Sequence, residues 1–256
     1  MLFDTHVHLN DVSYENYQEI IQNALSNGVK KMVVVGFDLD SSKRAIEIAK
    51  EYPFVYAAIG IHPSEANKGY DKDLIELEKL ISDKVVAIGE IGLDYHYDGV
   101  IKENQSDLFI KQIQIAKRNN LPIIIHSRDA CRDTVDILKE YKGCYSKGIM
   151  HCYAYSYEIA KVLINYGFIF SFGGVVTYKN AKEVKEVVTN LDINKIILET
   201  DAPYLTPTPH RGKRNEPAYI KYVADEIALL KGLDKKDVEE ITYNNACDFF
   251  GVSREN

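Results

Sequence analysis

Six side chains in this sequence have the types and the spacing to hold metal ions: His6, His8, Glu90, His126, His151 and Asp201. In His6-Val7-His8 the imidazoles stand at i and i+2, which on an extended segment point to the same side and can reach one ion. That pair alone is a weak signal, because two hydrogen-bonded histidines near a terminus read the same way. Glu90 closes the apolar run VVAIGE, His126 follows LPIII, His151 follows GIM and Asp201 follows KIILET. A carboxylate ending an apolar run is costly to bury without a cation, and a buried salt bridge is the bland alternative. Any one of these histidines would read as a satisfied core histidine, but the whole set would need several independent coincidences.

Four imidazoles and two carboxylates suit Zn, Mn, Fe or Co, whereas Mg prefers an oxygen-rich shell. One or two divalent ions are expected, with Mg, Mn and Zn as the metals to test. Six ligands exceed a mononuclear tetrahedral site. Two ions about 4 Å apart, bridged by a carboxylate and a water, would use all six for displacement at phosphorus or carbonyl carbon.

These side chains must be positioned by the segments that carry them, and those segments alternate. Short β-rich runs cover 2–7, 31–36, 54–61, 84–91, 121–126, 147–151, 167–172 and 195–200. Most are nearly continuous apolar runs, as strands buried on both faces of a parallel sheet must be. Between them lie amphipathic stretches such as 104–119, with Phe109, Ile113 and Ala116 on one stripe, and 219–230, with Ile220, Val223, Ile227 and Leu230. Eight strand-helix units in 256 residues, with no long polar linker, predict a single-domain α/β (β/α)8 TIM-type barrel spanning 1–256. An open doubly wound sheet is the alternative, but chemistry gathers at the C-terminal ends of barrel strands, and His6, Glu90, His126, His151 and Asp201 fall at or just past such ends.

The bulk composition fits this reading. With 46% hydrophobic and 27% charged residues the chain is an ordinary globular protein, and its formal charge of −7 argues against a general basic surface for coating nucleic acid. The N-terminus MLFDTHVHLN lacks a secretory signal pattern and no window is apolar enough to span a membrane, so a cytoplasmic location is expected. Cys131, Cys144, Cys152 and Cys247 form no C-x-x-C pair and read as reduced structural thiols.

The segments FDTHVHLN (3–10), GIHP (60–63), AIGEIGLDYH (87–96), PIIIHSRDA (122–130), MHCY (150–153), LETDAPYL (198–205) and PHRGKRNEP (209–217) resemble the TatD family of metal-dependent deoxyribonucleases, within the amidohydrolase-like barrels. The likeness runs over nearly the whole chain. It departs at Ser64, where some family members carry a further histidine. The resemblance implies that His6, His8 and Asp201 bind one ion, that His126 and His151 bind another, and that Glu90 bridges them. It further implies hydrolysis of DNA phosphodiesters, exonucleolytic and acting on ends that can be single-stranded, by a water that the ions activate. Asp201 is the expected proton acceptor, with Glu90 beside it in the catalytic pair.

Around this centre, Arg128 stands two residues past His126, placed to pair a phosphate, and His62 is expected to touch substrate or orient a water. Each has a bland counterpart: a helix-surface arginine and a loop-capping histidine. Arg211, Lys213 and Arg214 form the one dense basic cluster, and Tyr95, Tyr153 and Tyr204 follow ligand-bearing segments where they could stack on bases. A competing reading keeps the same site but gives it an amide, lactone or ester substrate, aminoacyl esters included. The basic residues discriminate, since only a polyanionic substrate needs them.

Overall fold

Residues 1–255 are described by a computed structural model, and across them strand and helix alternate almost from end to end. The strands are β1 (Leu2–Val7), β2 (Val29–Val35), β3 (Val55–Ile59), β4 (Val85–Asp94), β5 (Ile123–Arg128), β6 (Gly148–Met150), β7 (Phe168–Phe172) and β8 (Ile196–Leu198). The helices are α1 (Tyr17–Ser26), α2 (Leu39–Glu51), α3 (Asp71–Lys79), α4 (Lys102–Asn119), α5 (Cys131–Glu140), α6 (Tyr157–Ile164), α7 (Lys182–Asn190), α8 (Ile220–Lys231) and α9 (Lys235–Phe250).

All strands are parallel and follow one another in sequence order through a single sheet. The two edges meet. Val7 bridges Ala202, Asp201 N–H donates to the His6 carbonyl at 2.9 Å, and Thr5 Oγ1 donates to the Leu198 carbonyl at 2.8 Å. A barrel therefore replaces the open-sheet alternative, and its closure sets the end of β1 beside the end of β8.

Valine, isoleucine and phenylalanine dominate the strands because both faces are covered. Outward residues such as Val34, Ile59 and Ile125 pack against the helix ring, which includes the predicted stripes Phe109-Ile113-Ala116 and Ile220-Val223-Ile227. Inward residues Phe3, Val33, Val35, Ile124, Ile149 and Ile197 fill the barrel. The N-terminal mouth is stoppered by α9, whose Tyr243, Ala246, Cys247 and Phe249 join that inner cluster. The sequence reading assigned no element to α9, because its buried face mixes Thr242, Ala246 and Cys247 with larger apolar residues and so shows little contrast.

Two strands run beyond their expected ends. β4 continues to Asp94 and β5 to Arg128, paired through Gly92 opposite His126 and Asp94 opposite Arg128. This pairing demands glycine at 92. Its φ is +141°, and a Cβ there would lie 2.0 Å from the His126 carbonyl oxygen.

Candidate metal centre

His6 lies on β1, His8 just past it, Glu90 on β4 and His126 on β5; His151 follows β6 directly, and Asp201 is the third residue past β8. All six converge at the C-terminal mouth. The Nε2 atoms of His6 and His8 are 3.3 Å apart, and each faces Asp201 Oδ1, at 3.8 and 3.4 Å. His151 Nε2 lies 3.8 Å from that same oxygen. Glu90 divides its two oxygens: Oε2 faces His6 and His8 at 3.6 and 4.0 Å, while Oε1 faces His126 Nδ1 at 2.7 Å and His151 Nε2 at 3.6 Å. Asp201 adopts a left-handed backbone, φ 55°, at the turn that brings its carboxylate over the mouth.

These separations suit cations. Donor atoms held about 2.1 Å from an ion are about 3.0 to 3.5 Å from one another; the His6–His8 and His8–Asp201 pairs, at 3.3 and 3.4 Å, fall in that range, and the others spread from 2.7 to 4.0 Å. Without an ion, the ring nitrogens and carboxylates demand positive charge from protons. Burial opposes charge on His126, but Glu90 and Asp94 outweigh it and raise its pKa to about 9. His151 is likewise buried, yet Glu199, Glu90 and Asp201 carry it to about 10. Burial would push Glu90 and Asp201 upward, but the surrounding imidazoles hold both below the usual carboxylate range. A cluster of nitrogen and oxygen donors that recruits protons in this way is able to hold divalent metal.

Behind the donors stands a layer of contacts that sequence reading missed. His126 Nε2 faces Asp94 Oδ2 at 3.0 Å, His151 Nδ1 faces Glu199 Oε2 at 2.8 Å, and His8 Nδ1 meets the Val35 carbonyl at 2.9 Å. Asp94 and Glu199 carried the same signal as Glu90, an acid at the close of an apolar run. From α4, one turn-pair apart, Gln105 and Gln112 reach back to the barrel. Gln105 clamps the N–H and C=O of Asp94 at 2.8 and 2.9 Å, and Gln112 clamps those of Ile61 at the same distances. Two buried amides thus fix the backbone at Asp94 and beside His62.

The rim residues fall into two groups. His62 is half-buried, its ring edge-on to His126 with centroids 4.4 Å apart. Its Nδ1 accepts the Ser64 N–H at 3.1 Å and contacts Ser64 Oγ at 2.9 Å, so the neutral ring carries its hydrogen on Nε2. Burial and the neighbouring His126 lower its pKa to about 4, which keeps it neutral. Arg128 is exposed at the end of β5, packed over the Tyr97 ring.

Arg211, Lys213 and Arg214 are all exposed in the loop after β8, and the two arginines are already engaged. Arg214 donates to the Ser13 carbonyl at 2.6 Å and so ties down the loop after β1, while Arg211 lies over Tyr178 at 4.0 Å. Of the three tyrosines, Tyr153 is corrected outright: it is 3% exposed, packed on Phe170, with its hydroxyl donating to Ser156. Apolar strand neighbours draw it into the core. Tyr95 is occupied by Asp133 and Lys102, whereas Tyr204 is 53% exposed beside His8 and free to stack. Tyr97, which the sequence reading passed over, is 62% exposed on the opposite rim.

No helix among the described residues is long and apolar enough to cross a membrane. The chain was also compared with known proteins. It is 49% identical over 255 residues to an uncharacterized metal-dependent hydrolase, YabD, of Bacillus subtilis strain 168, covering 99% of this chain and 100% of that one. Identity to the metal-dependent hydrolase YcfH of Escherichia coli strain K12 is 36%, covering 98% and 96%. Among solved structures, YJJV, a TatD homolog from Escherichia coli K12, superposes with a TM-score of 0.93 at 30% identity, covering 98% of each chain. The model of the family described as TatD related DNase matches residues 3–251, and with that match over a barrel mouth able to hold metal, this chain belongs to the TatD family of metal-dependent hydrolases.

Proposed function

We propose that this chain hydrolyses phosphodiester bonds of DNA, removing nucleotides from strand ends, with two divalent ions held at the barrel mouth. His6, His8 and Asp201 would hold one and His126 and His151 the other, with Glu90 able to serve both because it faces both sets. The observation that carries this reading is the division at Glu90, whose two oxygens face two different ligand sets. DNA as substrate is supported by the family's description and by the rim, where Arg128 and exposed aromatic rings border the centre.

Divalent ions at such a site lower the pKa of a water and draw charge from phosphoryl oxygens; nitrogen-rich ligation favours Zn or Mn over Mg. The chain's own residues do the rest. Asp201, held ionised by the imidazoles, accepts the proton of the attacking water at Oδ1. His62 offers a neutral Nε2–H to a non-bridging phosphate oxygen, a donor whose orientation Ser64 fixes. Arg128 pairs a phosphate farther along the strand through its planar fork.

The test is hydrolysis of labelled single-stranded DNA by metal-stripped protein reloaded with Mg, Mn or Zn, beside a Glu90→Ala variant. Laddering from one end that returns with metal and vanishes in the variant is expected. Failure of every metal-loaded form to cut would transfer the site to amide, lactone or ester substrates.

A further inference from the structure

Three of the four imidazoles at the mouth are backed by an acceptor, and the acceptors differ. Behind His8 stands the neutral carbonyl of Val35, and His6 Nδ1 is buried without a partner among the described residues. His126 and His151 alone are backed by carboxylates, Asp94 and Glu199, which are 4% and 0% exposed. An ionised carboxylate can only accept, so the ring nitrogen facing it carries the hydrogen and the opposite nitrogen keeps the lone pair.

We propose that Asp94 and Glu199 are positioning residues that present opposite ring atoms to one ion, Nδ1 of His126 and Nε2 of His151. The inference rests on the two-ion reading above. Asp94 turns Nε2 of His126 away, leaving Nδ1 toward Glu90 Oε1 at 2.7 Å. Glu199 occupies Nδ1 of His151, leaving Nε2 toward that same oxygen at 3.6 Å. Both carboxylates are themselves anchored. Asp94 Oδ1 accepts the His96 N–H at 2.9 Å, with its backbone clamped by Gln105, and Glu199 Oε1 accepts the Cys152 N–H at 3.0 Å.

His62, Asp94 and His126 also lie close enough to suggest a third cation site. The hydrogen bonds exclude it. Ser64 N–H occupies the lone pair on His62 Nδ1, so Nε2 carries hydrogen, while Asp94 holds a hydrogen on His126 Nε2. Asp94 therefore serves the ion at His126 and His151. Anionic partners make both rings stronger donors, and removing such a partner costs 10- to 100-fold in metal affinity.

Metal-stripped protein is titrated with Zn against a chromophoric chelator, for wild type, Asp94→Asn and Glu199→Gln, with thermal melts to report folding. Wild type is expected to bind two ions. Each variant is expected to weaken one of them 10- to 100-fold and to hold the other unchanged, a selectivity that general damage would not produce. Two ions bound by both variants with wild-type affinity would overturn the proposal alone; fewer than two ions in wild type would overturn the dinuclear reading and the proposal with it. Ring-15N spectra of the Zn-loaded wild type, with His126→Ala to assign the signal, give a reading that needs no folded Asp94 or Glu199 variant. A hydrogen on Nε2 of His126 is expected, and one on its Nδ1 overturns the assignment.

Discussion

The imidazoles of His6 and His151 stack face to face, 3.6 Å between ring centroids and 20° from parallel, although one belongs to β1 and the other follows β6. Two buried cations would not rest at that distance, and their surroundings divide the charge. His151 is buried but drawn up to about 10 by Glu199, Glu90 and Asp201. His6 has its pKa lowered by burial and by His151 itself.

The metal-free centre therefore carries protons at neutral pH on His126 and His151, the pair proposed to hold one of the ions. Loading divalent metal at pH 7 should release roughly two protons. Calorimetric titrations in buffers of different ionisation enthalpy measure this number, and a release near zero would contradict the assignment.

Stability should follow the same groups. Their folded pKa values lie above the ordinary 6.5 of histidine, so their contribution is complete below about pH 6.5 and disappears as pH rises through about 9 to 10. Metal-free protein should lose melting temperature across that window while metal-loaded protein holds it. Paired melts at pH 6, 8 and 10 check the difference.

Asp201 is the proposed proton acceptor, and an amide cannot take that role. Asp201→Asn should lower kcat at least about 100-fold, the usual range for a lost general base. Metal content measured on the same preparation separates the roles: full activity in a variant that keeps both ions would remove Asp201 as the base.

Arg128 and Arg214 should behave differently although both are arginines near the mouth. Arg128→Ala should raise KM for DNA and reduce the slope of log affinity against log salt by about 0.7, the loss of one single-strand phosphate contact. Arg214→Ala should act through the Ser13 carbonyl it holds, loosening the loop after β1 and lowering stability by about 1 kcal/mol. Salt titrations of binding beside denaturant melts resolve the two.

Gln112→Leu leaves the buried N–H and C=O of Ile61 unpaired, at a cost of about 2 to 4 kcal/mol. Because the next residue is His62, KM should rise as well. Gly92→Ala should be harsher still, since its Cβ would meet the His126 carbonyl and displace that candidate ligand. Urea melts and metal content read both effects.

Much of this protein is legible in its sequence because strands buried on both faces must be continuous apolar runs, and a polar residue closing such a run stands out. His6, His8, Glu90, His126, His151 and Asp201 were visible for that reason, as were the eight strands and the barrel they predict. Asp94 and Glu199 lay inside the same segments, but their worth depends on which ring nitrogen each faces, and that is a matter of angles between strands. Likewise Gln105 and Gln112 read as ordinary polar positions on α4 until the helix packs and turns them inward. Tyr153 and Tyr204 look alike in one dimension, yet one is sealed against Phe170 and the other stands in solvent. The sequence determined the candidate ligands and the periodicities, because those follow from local chemistry; the tertiary structure decided pairing, ring orientation and exposure, because those arise only where distant segments meet.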